Sequence, residues 1–318
     1  MAIQPLQEIF PELTILSIPL RNQFRGINYR EVALFKGPHG WSEFSPFLEY
    51  GIAEASVWLD AALEAANNPW PELHHKKIAI NATLPAVAPK EVKAILQSFA
   101  GCKNVKIKVD DFENGSLLVE ATLEQIPDAK IRLDVNGRWD QSSAISNLLE
   151  YHLRFGSIFE YVEQPCQSTS ELAAVKAESP IPIAVDESIR KSLSSDLSVL
   201  KDIADVAILK WQPLGGFTSA HKIADKIGLP VVISSALETG IGISHGLALA
   251  ASFKEADFAC GLGTVALFES DICDPAVTAE GGFIEVARRE PAGLDKYQAS
   301  AERVQWWNDR IVKILEAK

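Results

Sequence analysis

From Lys77 onward, short runs rich in Val and Ile alternate with helix-patterned stretches, and this alternation governs what the chain can fold into. The β-type runs fall at residues 78–81, 105–109, 130–135, 158–163, 183–186, 204–210, 230–234 and 258–260. Helical patterns lie between them at 89–99, 117–125, 142–155, 170–178, 197–201, 218–227 and 243–253. Strands joined by helical crossovers run parallel. Their apolar residues do not alternate strictly with polar ones, as expected of strands buried on both faces. Eight strands with regular helices between them fit a closed α/β barrel better than an open sheet. The expected fold is a (β/α)7β TIM-like barrel over residues 77–280.

The first 76 residues read differently. Runs at 14–19 and 32–36 look like strands of a meander, and 53–66 carries Ala, Leu and Trp on one helical face. This predicts an α+β capping domain over residues 1–76. The tail, 281–318, holds a strand candidate at 283–286 and a helix near 299–315, and is expected to pack back on the capping domain. The chain shows neither a 20–50-residue sequence repeat nor a low-complexity linker.

A length of 318 residues accommodates a barrel of about 250 residues together with a smaller unit. A net charge of −12 argues against nucleic acid or an anionic membrane as partner, while leaving room for a local basic site. The four cysteines, Cys102, Cys166, Cys260 and Cys273, are widely spaced without a CxxC pair and read as reduced thiols. Pro5, Glu8, Pro11 and Glu12 interrupt any leader-like apolar core, so the expected location is cytoplasmic.

A ladder of charges runs along the strand ends: Lys106 and Lys108, then Asp134, Glu163, Asp186 and Lys210, at intervals of 23 to 29 residues. Alternate side chains of a strand share a face, so Lys106 and Lys108 point the same way, into the barrel, while Val105, Ile107 and Val109 are buried on the other. Side by side and desolvated, two lysines are expected to lower each other's proton affinity, which suits a general base. The competing reading is a pair of solvated lysines. Asp134, Glu163 and Asp186 sit in Leu-Asp-Val-Asn-Gly, Val-Glu-Gln-Pro and Val-Asp-Glu-Ser. Taken singly, each acid reads as a helix cap in a βα loop. Together on three consecutive strands they read as oxygen ligands for a hard cation, Mg²⁺ with Mn²⁺ as a substitute. Asn136 and Glu187 would orient those ligands, although Glu187 also reads as a plain surface acid. Lys210 reads as a second base, as a cation stabilising developing negative charge, or as a salt-bridge partner for one of the acids.

Lys-x-Lys, then Asp, Glu and Asp, then Lys on successive strands resembles the enolase superfamily, and within it the muconate-lactonising subgroup. The resemblance covers nearly the whole chain. It implies that Asp134, Glu163 and Asp186 bind Mg²⁺, that Lys108 is the catalytic lysine with Lys106 its partner, and that Lys210 stands on the opposite face. It also implies proton abstraction next to a carboxylate and stabilisation of the resulting enolate.

Mandelate-racemase-like members use a late barrel histidine, whereas strand seven here ends in Ser234-Ser235-Ala236-Leu237-Glu238; His245 lies further on, inside a predicted helix, and reads as structural. Dipeptide epimerases carry Asp-x-Asp where this chain has Gly261-Leu262-Gly263-Thr264. These two segments, with Phe24-Arg25-Gly26-Ile27 and the 40–47 segment, resemble o-succinylbenzoate synthases. That resemblance implies Mg²⁺-dependent loss of water from 2-succinyl-6-hydroxy-2,4-cyclohexadiene-1-carboxylate in menaquinone biosynthesis. Ser234, Ser235, Gly261 and Gly263 would accommodate a succinyl arm and its carboxylate. Arg25 reads either as a positive charge over the site or as a solvated loop arginine. Racemisation of N-succinylamino acids is the alternative activity. The formal GxGxxA match at 261–266 lacks the following helix and acid of a dinucleotide site. A non-catalytic binder on the same barrel would be expected to have lost a ladder residue, and none is lost. The expected partner is a small-molecule carboxylate, and the chain is compatible with a monomer or a homodimer.

Overall fold

A computed structural model describes residues 6–193 and 195–318. Pro5, used above in the reading of the N-terminus, lies outside them. A short helix α1 (Leu6–Ile9) precedes a three-stranded antiparallel meander: β1 (Thr14–Phe24), β2 (Ile27–Gly37) and β3 (Gly40–Phe44). The first two strands are longer than their apolar runs, because pairing continues after a register shift between Pro19 and Phe24. Helix α2 (Ile52–Asn67) buries Ala55, Trp58, Leu59, Ala61, Ala62, Ala65 and Ala66. The small alanines let it lie close to the sheet: a Cβ at Gly37 would fall 2.5 Å from the Ala66 carbonyl oxygen.

The next segment is where sequence pattern and structure part. Residues 78–81 were expected to form one strand; the chain forms two. Strand β4 (Lys77–Ala79) pairs outside the barrel, and β5 (Ala82–Leu84) is the first strand of the parallel sheet. A 3-10 turn at Pro89–Glu91 and helix α3 (Val92–Leu96) follow, then β6 (Asn104–Lys108), α4 (Phe112–Gln125), β7 (Lys130–Asp134) and α5 (Gln141–Phe155). The series continues through β8 (Phe159–Glu163), α6 (Thr169–Glu178), β9 (Ile183–Val185), α7 (Glu187–Lys191), α8 (Leu200–Ile203), β10 (Val206–Leu209), α9 (Phe217–Ile227), β11 (Val231–Ile233) and α10 (Gly240–Ser252). Strands β5 to β11 form one seven-stranded sheet in sequence order. The expected eighth strand at 258–260 is reduced to two parallel bridges, Ile80 with Cys260 and Ser234 with Gly261. Asn81 N donates to Cys260 O at 3.0 Å and Gly261 N to Ile233 O at 2.8 Å, so this short piece joins both edges of the sheet. The architecture is the expected TIM-like barrel with an N-terminal antiparallel cap.

Strand β12 (Phe283–Glu285) pairs antiparallel with β4, and helix α11 (Ala301–Glu316) ends the chain. Arg303 and Trp307 of α11 both donate to the Glu31 carboxylate of β2, and Arg310 Nη2 donates to Tyr50 O at 2.7 Å. All four cysteines are buried and unpaired. Among the described residues no helix is long and apolar enough to cross a membrane.

Helix starts are handled by residues outside the charge ladder. Asp111 accepts from Asn114 N at 2.9 Å and Asp140 from Ser143 N at 2.8 Å. Ser168 and Glu171 form a reciprocal capping box. Asp186 immediately precedes α7 yet accepts no capping bond. The helix-cap reading of the three strand-end acids therefore finds no support in the geometry.

Candidate active site

Strand alternation and register gather the ladder at one end of the barrel. Lys106 and Lys108 share a face of β6, and Lys108 stands level with Asp134 on β7, which is level with Glu163 on β8. Lys106 Nζ lies 3.1 Å from both Asp134 Oδ2 and Glu163 Oε2. Lys108 Nζ lies 2.6 Å from Asp134 Oδ2 and 2.8 Å from Asn136 Oδ1. Lys210 Nζ lies 2.5 Å from Asp186 Oδ2. Asn136 Nδ2 donates to Glu187 Oε1 at 2.9 Å, which places Glu187 inside this network and not on the open surface.

Burial and charge act against each other here. Desolvation alone would lower the Lys106 ammonium, but Glu163 and Asp134 outweigh it and raise its pKa. The expected mutual depression of paired lysines is thus reversed for Lys106, because two carboxylates lie closer to it than the expectation allowed. Lys210 is raised in the same way, with burial opposed by Asp186 and Glu163. Burial works to raise Asp134 and Asp186, yet the adjacent Lys108 and Lys210 respectively hold each below the usual range. Glu163 is pushed up to about 7 by burial and by Asp134, only partly offset by Lys106.

The chemistry of this donor set fits a hard divalent cation. Three carboxylates end consecutive strands, and Asp134 Oδ1 and Glu187 Oε2 are buried with no hydrogen-bond partner. Unpaired buried anionic oxygens are costly, and a cation would satisfy them. No three acidic, imidazole or thiol side chains among the described residues are already drawn into a cation-sized cluster. The ammonium groups supply the compensating charge in this geometry.

Above the ladder lies a cavity of about 550 Å³, whose walls come from both the cap and the barrel. Lys106, Lys108, Lys210, Asp186, Asn136 and Glu187 line it; Asp134 and Glu163 sit beneath, behind the lysines. Ser234, Ser235, Gly261 and Arg25 also line it. The Arg25 side chain is exposed, and its guanidinium lies 4.2 Å from the Phe47 ring centroid and donates to the Tyr50 hydroxyl. Gly263 is a correction. It lies outside the cavity, where a Cβ would meet Ile80 Cγ2 at 2.8 Å and the Phe99 ring at 3.1 Å, so its smallness serves packing.

Several contributors were not singled out from the sequence. Gln164 has a left-handed φ of 45°, and its Oε1 accepts from Asp186 N at 3.1 Å and Ser188 N at 3.2 Å, fixing the start of the Asp186 loop. Its place directly after Glu163 was the available signal. Arg190 lines the cavity one turn beyond Asp186, and Thr83, level with Lys106, brings a buried hydroxyl without a partner to the wall. His245, on α10, accepts from Trp70 Nε1 at 3.0 Å and meets Trp41 O at 3.1 Å, away from the cavity.

Residues 15–66 match the family described as enolase N-terminal domain-like, and 90–294 match the one described as enolase C-terminal domain-like. The o-succinylbenzoate synthase of Mycobacterium tuberculosis (strain H37Rv) is 42% identical over 319 residues, covering 97% of this chain and 95% of that protein. The L-Ala-D/L-Glu epimerase from Bacillus subtilis superposes with a TM-score of 0.73 at 21% identity, covering 88% of this chain and 96% of the other. A dipeptide epimerase from Enterococcus faecalis V583, complexed with Mg and the dipeptide L-Leu-L-Tyr, gives a TM-score of 0.71 at 23% identity and covers 89% and 97%. These two likenesses concern the fold. The chain belongs to the enolase superfamily, within its o-succinylbenzoate synthase family.

Proposed function

We propose that this chain removes water from 2-succinyl-6-hydroxy-2,4-cyclohexadiene-1-carboxylate to give 2-succinylbenzoate, the activity for which its relatives are named. The single structural observation that carries the reading is Lys108 and Lys210 at the floor of one cavity, each in contact with an acid of the strand-end set. Asp134, Glu163 and Asp186 would hold Mg²⁺, and Asn136 and Glu187 would orient that shell. When bound, the ion supplies charge that neutralises these acids and stabilises negative charge developing on the substrate carboxylate.

The chain's own groups carry the proton traffic. Lys108, as the neutral amine, takes the proton from the ring carbon that bears the carboxylate. The electron pair released spreads into that carboxylate, and the Lys210 ammonium stabilises it. Lys108, now an ammonium, returns its proton to the departing ring hydroxyl. One C–H and one C–O bond break, water leaves, and the ring becomes aromatic. Lys106 lies between Asp134 and Glu163 and keeps both carboxylates in place. Ser234, Ser235 and Gly261 would face the succinyl arm, with Arg25 closing the cap side.

The division into a cap (1–76), a barrel (77–280) and a returning tail (281–318) belongs to the same proposal, supported by the contacts of α11 with β2 and of β12 with β4. A small-molecule carboxylate would be the only partner needed, whether the chain works as a monomer or a homodimer. The test is loss of the cyclohexadiene's ultraviolet absorbance with and without EDTA. Fast, EDTA-sensitive conversion supports the reading; a folded protein that leaves the substrate unchanged overturns it.

A further inference from the structure

Behind the cavity, between cap and barrel, lies a group of buried ionisable side chains that the reaction does not use. Arg30 on β2 is 1% exposed, and Glu43 on β3 and Glu238 beyond β11 are 0% exposed. Burying three ionisable side chains is expensive unless each is held by specific partners. Glu43 has such partners: Ser45 Oγ at 2.7 Å, Thr239 Oγ1 at 2.5 Å, Thr239 N at 3.1 Å and Gly242 N at 3.1 Å. Arg30 makes no ion pair among the described residues. It spends its donors on backbone carbonyls: Nε on Leu237 O at 3.0 Å, and Nη2 on Ala236 O at 3.4 Å and on Ser45 O.

Ala236 and Leu237, the residues that own those two barrel carbonyls, line the cavity, while Arg30 takes the carbonyl oxygens as acceptors. Leu237 is held at φ 63°, a left-handed conformation unfavourable for a side chain of this kind. The same segment is tied from its other side, where Ala236 N donates to Glu238 Oε2 at 2.6 Å. On the cap side, the Arg30 guanidinium lies 4.3 Å from the Phe47 ring centroid, and Arg25 lies 4.2 Å from the same ring. Phe47 lines the cavity as well. One buried arginine therefore contacts both facing walls without reaching the cavity itself.

The proposed substrate carries two carboxylates, and a carbonyl oxygen turned toward a carboxylate repels it. We infer that Arg30 and Glu238 are a positioning pair that holds the Ala236 and Leu237 carbonyls out of the substrate cavity, and so sets affinity for a dicarboxylate. Neither touches the reacting atoms. The inference rests on the proposed reaction only for its choice of ligand.

The test measures the dissociation constant of 2-succinylbenzoate, with KM and kcat, in Arg30→Met, Arg30→Lys and Glu238→Ala. Arg30→Met is expected to raise Kd and KM at least about tenfold with kcat changed less than about threefold, the pattern of lost uniform binding. Arg30→Lys should recover part of that loss, because a lysine reaches the carbonyls without the planar fork. Glu238→Ala should raise Kd in the same direction, and decides the matter if Arg30→Met does not fold. A purely structural role would lower melting temperature and active fraction while leaving Kd of the folded fraction unchanged, and that result overturns the pair. Failure of both variants to fold also assigns them to stability and overturns it. Wild type that binds 2-succinylbenzoate without turnover sinks the reaction and leaves the pair to be judged by Kd; wild type that does neither sinks both.

Discussion

Lys108 Nζ lies 2.6 Å from Asp134 Oδ2, across two strands that stand in register at that point. The contact keeps the amine within reach of both the acid set and the cavity. Lys108→Ala should cut turnover by at least about 10³-fold, at the upper part of the range for a general acid–base group. The fold should survive, since only one strand-end side chain is shortened. A circular dichroism spectrum like wild type together with substantial residual activity would remove Lys108 as the base.

Asp186 accepts from Lys210 at 2.5 Å and leaves the capping of α7 unmade. Asp186→Asn keeps the volume and removes the charge. The half-saturating Mg²⁺ concentration should rise by about tenfold or more, a loss at least as large as removal of an outer orienting group causes. Metal titration of activity and calorimetric Mg²⁺ binding both report it. An unchanged titration would take Asp186 out of the ligand set.

His245 supplies a pH dependence remote from the metal site. Burial, with Arg288 adding to it, pushes its pKa from 6.5 down to about 3. A group depressed in this way binds more protons when unfolded. Its stabilising contribution is complete above pH 6.5 and is lost as pH falls toward 3. The loss is about 1.4 kcal/mol per pH unit, or about 2 kcal/mol by pH 5. Urea unfolding of wild type and His245→Gln should therefore give free energies that converge by about that amount between pH 7 and pH 5. Parallel curves would mean that His245 charges without penalty.

Glu31 anchors the last helix. It accepts from Arg303 Nη2 at 2.8 Å and from Trp307 Nε1 at 2.7 Å, and Trp307 is fully buried. Glu31→Ala leaves the indole N–H without a partner and should lower unfolding free energy by about 2 to 3 kcal/mol. Chemical denaturation measures this directly. A change below about 0.5 kcal/mol would mean that α11 is held by its apolar face alone.

The sequence carried the barrel and the positions of the ladder residues because both depend on local periodicities. Strand alternation puts Lys106 and Lys108 on one face, and the strand–helix repeat brings each acid to the same end. What escaped is what depends on distance in space between residues remote in sequence. The pKa of Lys106 rises because Asp134 and Glu163 lie 3.1 Å away, and no spacing rule yields such a length. Gly263 read as a cavity residue because small residues suit ligand sites, yet Ile80, from the opposite edge of the sheet, takes the space beside it. Arg30 was not singled out from the sequence, since its carbonyl partners stand 206 and 207 positions later. Splitting of the 78–81 run was invisible too, because β4 takes its partner from residues 283–285.

The seam of the barrel has a consequence for how the chain is made. The ring shuts only where Cys260 meets Ile80 and Gly261 meets Ser234, and β4 waits longer still for 283–285. On a ribosome, the growing parallel sheet must therefore remain an open sheet, with both edges unpaired, until more than four-fifths of the polypeptide has been translated. Long-range closure of this kind is slow and exposes strand edges to neighbouring chains. Recovery of native protein during fast overexpression should depend on that interval, and a chaperone would act chiefly by guarding two bare strand edges.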